Sequence, residues 1–306
     1  MRLFRRKQQG PSSGTAVSRP EKASAQSARP SGRGADRDDH DWRSYDLIAE
    51  EYARTQAAAH AAPAKDLVEL LQIQRGARVL DVGTGTGVTA RATGERAGPE
   101  GLVVGIDPSV PMLARAVSAA GGPRYVAAAA IDLPFRDASF DDVTATFVIT
   151  LFQRYDTALF DIFRVLKPGA RMGITTWGAN DSRDEFRDTW RSVAEEFAEP
   201  SILRDAIARA IPWEERFADH SVLKQTLHDA GLRDIWVETR DYRFEMSRED
   251  WLTGRETSAL GRFLRQMLGD ELWSVFSKRV RDVFAERFPP RINDFREVIL
   301  AVGHKA

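Results

Sequence analysis

Between residues 77 and 177 short apolar runs alternate with amphipathic stretches. "ARVLDV" (77–82) reads as a buried strand and 88–97 as the helix behind it. "GLVVGID" (101–107) is a second strand, and "PSVPMLARAVSAA" (108–120) a helix with proline in its first turn. "RYVAAA" (124–129) is a weaker third strand and "DDVTATFV" (141–148) a fourth. "ALFDIFRVLK" (158–167) reads as a helix stopped by Pro168-Gly169, and "ARMGITTW" (170–177) as a fifth strand. Such alternation indicates a parallel sheet covered on both faces. Upstream, "DWRSYDLIAEEYA" (41–53) places Trp42, Tyr45, Ile48, Ala49 and Tyr52 on one side of a short helix. Pro63 suits the first turn of another, running to about Ile73.

After Trp177 the rhythm breaks. Residues 183–210 have Phe186, Trp190, Val193 and Phe197 at helical spacing. "HSVLKQTLHDAG" (220–231) is a helix closed by glycine, and "RDIWVETRDYRF" (233–244) alternates as a strand. Residues 247–288 read as two or three aromatic-rich helices, and 295–304 as a final strand. The chain thus reads as one domain over 41–306, with helical insertions at about 180–218 and 247–290 that follow strands five and six. Residues 1–40 are rich in Ser, Gly, Pro, Ala and Arg and cannot bury enough surface to repay ordering, so a disordered tail is expected.

Composition narrows the function classes. The net charge is −1, too small to gather nucleic acid or anionic lipid, although the first 40 residues carry nine Lys/Arg against four Asp/Glu. With no cysteine there are no disulfides or thiolate metal sites, which fits a cytoplasmic protein. No apolar run approaches the roughly 18–20 residues that cross a bilayer. The basic start, "MRLFRRKQQG", lacks the apolar stretch of a secretory signal, and Leu3 and Phe4 are too few for a membrane anchor. The excess of Arg over Lys (37 against 7) reads as coding bias, not as a binding surface.

The chemistry sits in "VLDVGTGTG" (79–87). Three alternate glycines after a strand let the backbone approach a ligand, and the helix that follows begins with unpaired N–H groups. A dinucleotide turn has an acid about 20 residues further on, and Asp107 stands at that distance from Gly87. Asp81 decides against a dinucleotide, because a carboxylate two residues before the first glycine is a poor neighbour for a pyrophosphate. S-adenosylmethionine has no phosphate and carries an ammonium and a sulfonium, so the same acid favours it. Asp107, at the end of strand two, can accept the ribose hydroxyls of either ligand.

These residues resemble the class I S-adenosylmethionine-dependent methyltransferases, and most closely the small-molecule group similar to the ubiquinone/menaquinone-biosynthesis enzymes. The resemblance covers roughly 42–177. It rests on "YDLIAEEY" (45–52), "VLDVGTGTG" (79–87), "GIDPSVPMLARA" (105–116), "IDLPFRDASFDDV" (131–143) and "RVLKPGARM" (164–172), in that order. It implies an α/β Rossmann-like sheet, mostly parallel with the last strand antiparallel, and S-adenosylmethionine as cofactor. Carried across, Asp81 and the turn Gly83, Thr84, Gly85 and Gly87 would face the methionine part. Asp107 would take the ribose, with Pro108 or Ser109 beside the adenine and Met112 on an adenine face. Ala130 would offer its backbone N–H to the ring, and Ile131, Phe147 and Tyr52 would complete the cofactor's surroundings. The alternatives are that Met112 only packs helix to sheet and that Asp81 caps the adjoining helix. One departure stands out: the family's acid for the adenine amino group is replaced by Ala129, at a cost of about 1 kcal/mol.

No residue is identified as a general base. Methyl transfer is an in-line displacement that positioning can accelerate, and a base is needed only where the nucleophile must lose a proton. Of the five histidines, 40, 60, 220, 228 and 304, only His60 lies near a matched motif, and it too reads as a loop or helix-surface residue. No His, Asp or Glu cluster has metal-ligand spacing. An acceptor pocket is expected above the carboxyl ends of the strands, with Tyr45, Tyr52, Trp177, Trp213, Phe217 and Trp251 as candidate walls. Aromatics also pack helices to sheets; Tyr52 and Trp177 stand apart because they adjoin matched motifs. The expected activity is methylation of an oxygen or carbon of a small, aromatic or polyketide-like metabolite, by a monomer or homodimer. Rival expectations are a cyclisation or rearrangement that uses bound S-adenosylmethionine without methyl transfer, a non-catalytic binding module, and an NAD-dependent oxidoreductase.

Overall fold

A computed structural model describes residues 42–118, 122–179 and 184–306. The expected tail (1–40), with its Leu3–Phe4 pair, lies outside the described residues, as does the side chain of Trp42. A 3-10 segment, Trp42–Ile48, leads into α1 (Ala49–Thr55) and α2 (Ala57–Leu71). Alternation follows: β1 (Arg78–Val82), α3 (Val88–Ala97), β2 (Leu102–Asp107), α4 (Val110–Ser118), β3 (Arg124–Ala127), β4 (Phe140–Thr146), α5 (Tyr155–Val165) and β5 (Leu166–Trp177). Then come α6 (Glu185–Phe197), α7 (Pro200–Ala210), α8 (Glu214–Phe217) and α9 (His220–Asp229). The chain finishes with β6 (Leu232–Ser247), α10 (Arg248–Glu256), α11 (Ala259–Arg287) and β7 (Arg291–Lys305).

The seven strands lie in the order β3-β2-β1-β4-β5-β7-β6. The first five are parallel, and β7 runs antiparallel between β5 and β6. Strand order reverses between β1 and β4, which opens a crevice at the carboxyl ends of those two strands. Val79, Leu80 and Val82 are fully buried because both faces of the sheet are covered. Leu67, Val68 and Leu71 of α2 and Ala90 of α3 close one face. Leu159 and Ile162 of α5 and Leu223 and Leu227 of α9 close the other. The two insertions build a separate helical layer, whose core runs through Trp190, Phe197, Trp251, Phe276 and Phe284. It roofs the carboxyl ends of the strands, since the cavity there has Arg187 and Trp190 of α6 and Arg255 of α10 in its wall.

Four local expectations need correction. Pro63 stands inside α2, not in its first turn. The alanine-rich residues before it are strong helix formers, and proline there forgoes only one backbone bond. The helix before strand five ends at Val165, ahead of Pro168-Gly169. Leu166 already pairs with Phe140 of β4, and the Pro-Gly step lies within a register shift of that pairing, with Gly169 at φ 76°. The described part of the stretch expected to be helical forms two helices, α6 and α7, because Pro200 starts the second at its first position. The strands read at 233–244 and 295–304 are both longer and pair with each other along Leu232–Ser247 and Arg291–Lys305.

Candidate active site

The glycine turn hangs on its backbone. Gly83, Gly85 and Gly87 have φ of 66°, 52° and 78°, a region that side chains with a Cβ rarely enter. A Cβ on Gly83 would collide with Val148, whereas one on Gly85 would meet nothing within 4 Å, so the chain is open to the crevice there. Thr84 N–H donates to Ile106 O at 2.8 Å and ties the turn to β2. Gly87 then heads α3.

Asp107 ends β2 beside this turn. One carboxylate oxygen accepts from Gly85 N–H at 2.9 Å and the other from Ser109 N–H at 2.9 Å. Burial pushes its pKa up to about 6, while the two N–H donors pull the other way. Both oxygens keep lone pairs for further donors. Ser109 Oγ–H in turn donates to Asp46 at 2.5 Å, which fastens the 3-10 segment over the site.

Asp81 is placed differently. Its side chain is fully buried, and its oxygens accept from Thr84 Oγ1 at 2.6 Å and Thr144 Oγ1 at 2.7 Å. It also accepts from the Ala90 N–H in the first turn of α3. It braces the turn and caps the helix from behind and is not among the cavity-lining residues. Burial raises its pKa to about 6.

A cavity of about 610 Å³ occupies the crevice. Gly83, Gly85, Asp107, Pro108, Met112, Ala130 and Ile131 line it from the sheet side, together with Ala129 at the departure noted above. Tyr45, Tyr52, Phe147 and Trp177 line it too. Thr84 and Gly87 stand behind the lining. Trp213, Phe217 and Trp251, expected on the acceptor walls, pack elsewhere. Trp213 donates its indole N–H to Phe152 O at 2.6 Å, Phe217 is fully buried beneath β5, and Trp251 stacks near Phe284 inside the helical layer.

Across from Asp107 the wall is a run of rings. Tyr52 Oη lies 3.3 Å from His60 Nδ1. The His60 ring is 4.8 Å from Phe147, which stacks on Trp177 at 4.1 Å. Phe147 has φ 53°, a strained conformation for an aromatic residue, worth about 1–3 kcal/mol. Its N–H donates to Thr175 O at 2.9 Å, which holds it in place. Burial, then the nearby Arg296, lowers the His60 pKa to about 4, so the imidazole is neutral near pH 7. Burial, with Tyr45 and Asp107 adding to it, holds the Tyr52 phenol far above its usual range.

His60 was within reach of sequence reasoning. Its distance from Tyr52, eight residues, is about two helical turns. Starting α2 at Pro63 hid that, because it left His60 outside any element. Gln56, Glu214 and the cavity arginines carried no motif; they converge from the α1–α2 junction, the start of α5, α6, α8, α10, α11 and β7 only through the tertiary fold. Among the described residues no three acidic or histidine side chains gather at a metal-sized site, and no helix is long and apolar enough to cross a membrane.

Comparison with known proteins gives matches along this stretch. A family described as "Methyltransferase domain" matches residues 80–174, and protein-L-isoaspartate(D-aspartate) O-methyltransferase matches 37–120. Demethylmenaquinone methyltransferase of Geobacillus kaustophilus is 30% identical over 223 residues, which cover 66% of this chain and 91% of that protein. Nocamycin O-methyltransferase of Saccharothrix syringae is 34% identical over 137 residues, 43% of this chain and 49% of that protein. The match thus spans about half the length of the nocamycin relative. Among solved structures, the YcgJ protein of Bacillus subtilis has a TM-score of 0.49 at 19% identity, covering 80% of this chain and 98% of that one.

Proposed function

The chain belongs to the class I S-adenosylmethionine-dependent methyltransferases of the ubiquinone/menaquinone type, and we propose from this that it methylates an oxygen or carbon of a small aromatic or polyketide-like metabolite. One observation carries the proposal: a single cavity holds a fixed carboxylate, Asp107, on one side and a wall of rings with a neutral imidazole on the other. The nocamycin relative, named as an O-methyltransferase, supports an oxygen acceptor.

The residues at the turn suit the cofactor. Asp107 is an acceptor held in place by two N–H donors, as a ribose diol requires. Gly85 leaves open space where any other residue would project a Cβ. In our reading Met112 and Ile131 flank the adenine, and Ala130 offers its N–H to the ring. Tyr52 offers an aromatic ring to the cationic end. Asp81 acts through Thr84 and α3, by keeping the turn in shape. When bound, S-adenosylmethionine supplies an electrophilic methyl on a sulfonium, open to in-line displacement.

The protein's part is to orient and to take up a proton. In our reading Trp177 and Phe147 hold the acceptor flat. His60 donates Nδ1–H to the Tyr52 oxygen, which leaves Nε2 free to receive the acceptor's hydroxyl proton as the oxygen attacks. Closure by the helical layer keeps water out. The test is incubation of the purified chain with S-adenosylmethionine and a panel of phenols and diketones. Release of S-adenosylhomocysteine with a methylated product is expected. Conversion of an acceptor with no such release would overturn methyl transfer.

A further inference from the structure

The cavity holds charge that methyl transfer does not call for. Six arginines line it, Arg154, Arg187, Arg191, Arg255, Arg262 and Arg296, against two carboxylates, Asp107 and Glu214. Their pairing differs. Arg187 forks onto Asp294 with bonds of 2.8 and 3.1 Å and also bonds Asp184, so its charge is spent inside the protein. Arg255 of α10 and Arg296 of β7 have no carboxylate within ion-pair distance among the described residues. Glu214 is the lining acid that acts on both from further off. Each guanidinium lies over an indole: Arg296 is 3.9 Å from the Trp177 ring centre, and Arg255 is 5.5 Å from that of Trp190. The Nε of Arg255 is buried without any partner.

Half-burying unpaired cations beside a third is costly and persists where something else repays it. Burial and repulsion from Arg187 pull Arg255 down to about 10 and Arg296 to about 9, so both remain cationic at neutral pH. A guanidinium stacked on an aromatic face keeps its N–H edges for a planar acceptor in the same plane. Arg296 also sits next to the His60–Phe147–Trp177 run, so a group bound there is fixed relative to the proposed base.

We propose that the methyl acceptor is an aromatic acid whose carboxylate is seated on Arg255 and Arg296, with its ring along Trp177 and Phe147. This deepens the methyltransferase reading and rests on it. The carboxylate sets the orientation, and the hydroxyl to be methylated then faces His60. Arg255 and Arg296 act as specificity residues toward the acceptor, not toward the cofactor.

The test measures binding of salicylate, of neutral salicylamide and of phenyl phosphate to the full chain by calorimetry, with and without S-adenosylhomocysteine. Salicylate is expected to bind about tenfold or more tighter than salicylamide, the gain typical of charge-assisted bonds. Arg255→Gln and Arg296→Gln should each remove about that factor for salicylate and leave salicylamide and S-adenosylhomocysteine within about twofold. Arg296→Lys should retain part of the preference, and an unchanged Tm shows that each variant is folded. Equal affinity for acid and amide, including no measurable binding of either, overturns the proposal. So does tighter binding of phenyl phosphate than of salicylate, or a matching loss of S-adenosylhomocysteine affinity in the Gln variants, which would assign the arginines to the cofactor's own carboxylate. A wild-type chain that ignores S-adenosylhomocysteine yet prefers salicylate would sink the methyltransferase reading and leave the anion site standing.

Discussion

At Asp107 two backbone N–H groups fix a half-buried carboxylate at the rim of a cavity. Replacing it with alanine should weaken S-adenosylmethionine binding by about 1.5–3 kcal/mol, the worth of hydrogen bonds to a charged group. Calorimetry on Asp107→Ala checks this, and unchanged affinity would remove the residue from the site. Its pKa, raised to about 6, adds a pH effect: affinity for the cationic cofactor should fall as pH drops through 6, and Asp107→Asn should flatten that fall. His60 has the opposite kind of shift, from 6.5 down to about 4. The unfolded chain therefore binds the proton first, so the contribution of His60 to stability is complete above pH 6.5 and is lost as pH falls toward 4. The Tm gap between wild type and His60→Gln should change in that window, in favour of wild type as pH rises. A gap independent of pH would mean that His60 is solvated. Residue by residue, Asp107, Met112, Tyr52 and Trp177 were legible because they sit inside or beside motifs. Asp81 was legible as important, but its bracing of the turn through Thr84 and Thr144 shows only in the tertiary structure.

Among the elements, the turn between β1 and α3 is the most constrained. Gly83→Ala puts a Cβ into Val148 at a φ of 66°, so it should destabilise by at least about 1–3 kcal/mol. Urea midpoints would show it, and adding Val148→Ala should recover only part, because the backbone strain remains. In the helical layer, Asp294 of β7 anchors Arg187 of α6. Asp294→Ala leaves a buried guanidinium short of its main partner and should cost about 3–5 kcal/mol. Strands β1 to β4 were readable to within a residue or two, because buried parallel strands are short apolar runs bounded by turns, whereas β5, β6 and β7 run three or four residues past an expected end. Helix limits were less so. Nothing local marks where α5 ends, because the partner that draws Leu166 into a strand is Phe140, on another element.

For the molecule as a whole, the apolar core falls into two clusters on the sheet's faces and a third inside the helical layer. The third takes nearly all its members from α6, α7, α10 and α11 and only Ile292 from a strand. Elements that share few core residues with the rest open at lower free energy. Amide hydrogen exchange should therefore find these four helices less protected than β1, β4 and β5, and saturation with S-adenosylhomocysteine should slow the roof as well as the turn. Uniform protection across layer and sheet would contradict this.

The sequence by itself determined the alternation of strands and helices, the glycine bend, the two acids around it and, through them, the family and its cofactor. These are local: a strand of five residues, a turn of five and an acid about 20 further on are written in contiguous segments. Which other side chains line the cavity was decided only by the tertiary structure. Arg187, Arg255 and Arg296 are up to 109 residues apart in the chain and lie on two helices and a strand, so no spacing announces them. His60 meets Tyr52 because α2 begins at Ala57, ahead of Pro63, and it meets Trp177 at the end of β5. Chemistry shared across a family rests on short-range patterns, whereas the rest of this cavity's wall is built from side chains that only long-range packing brings together.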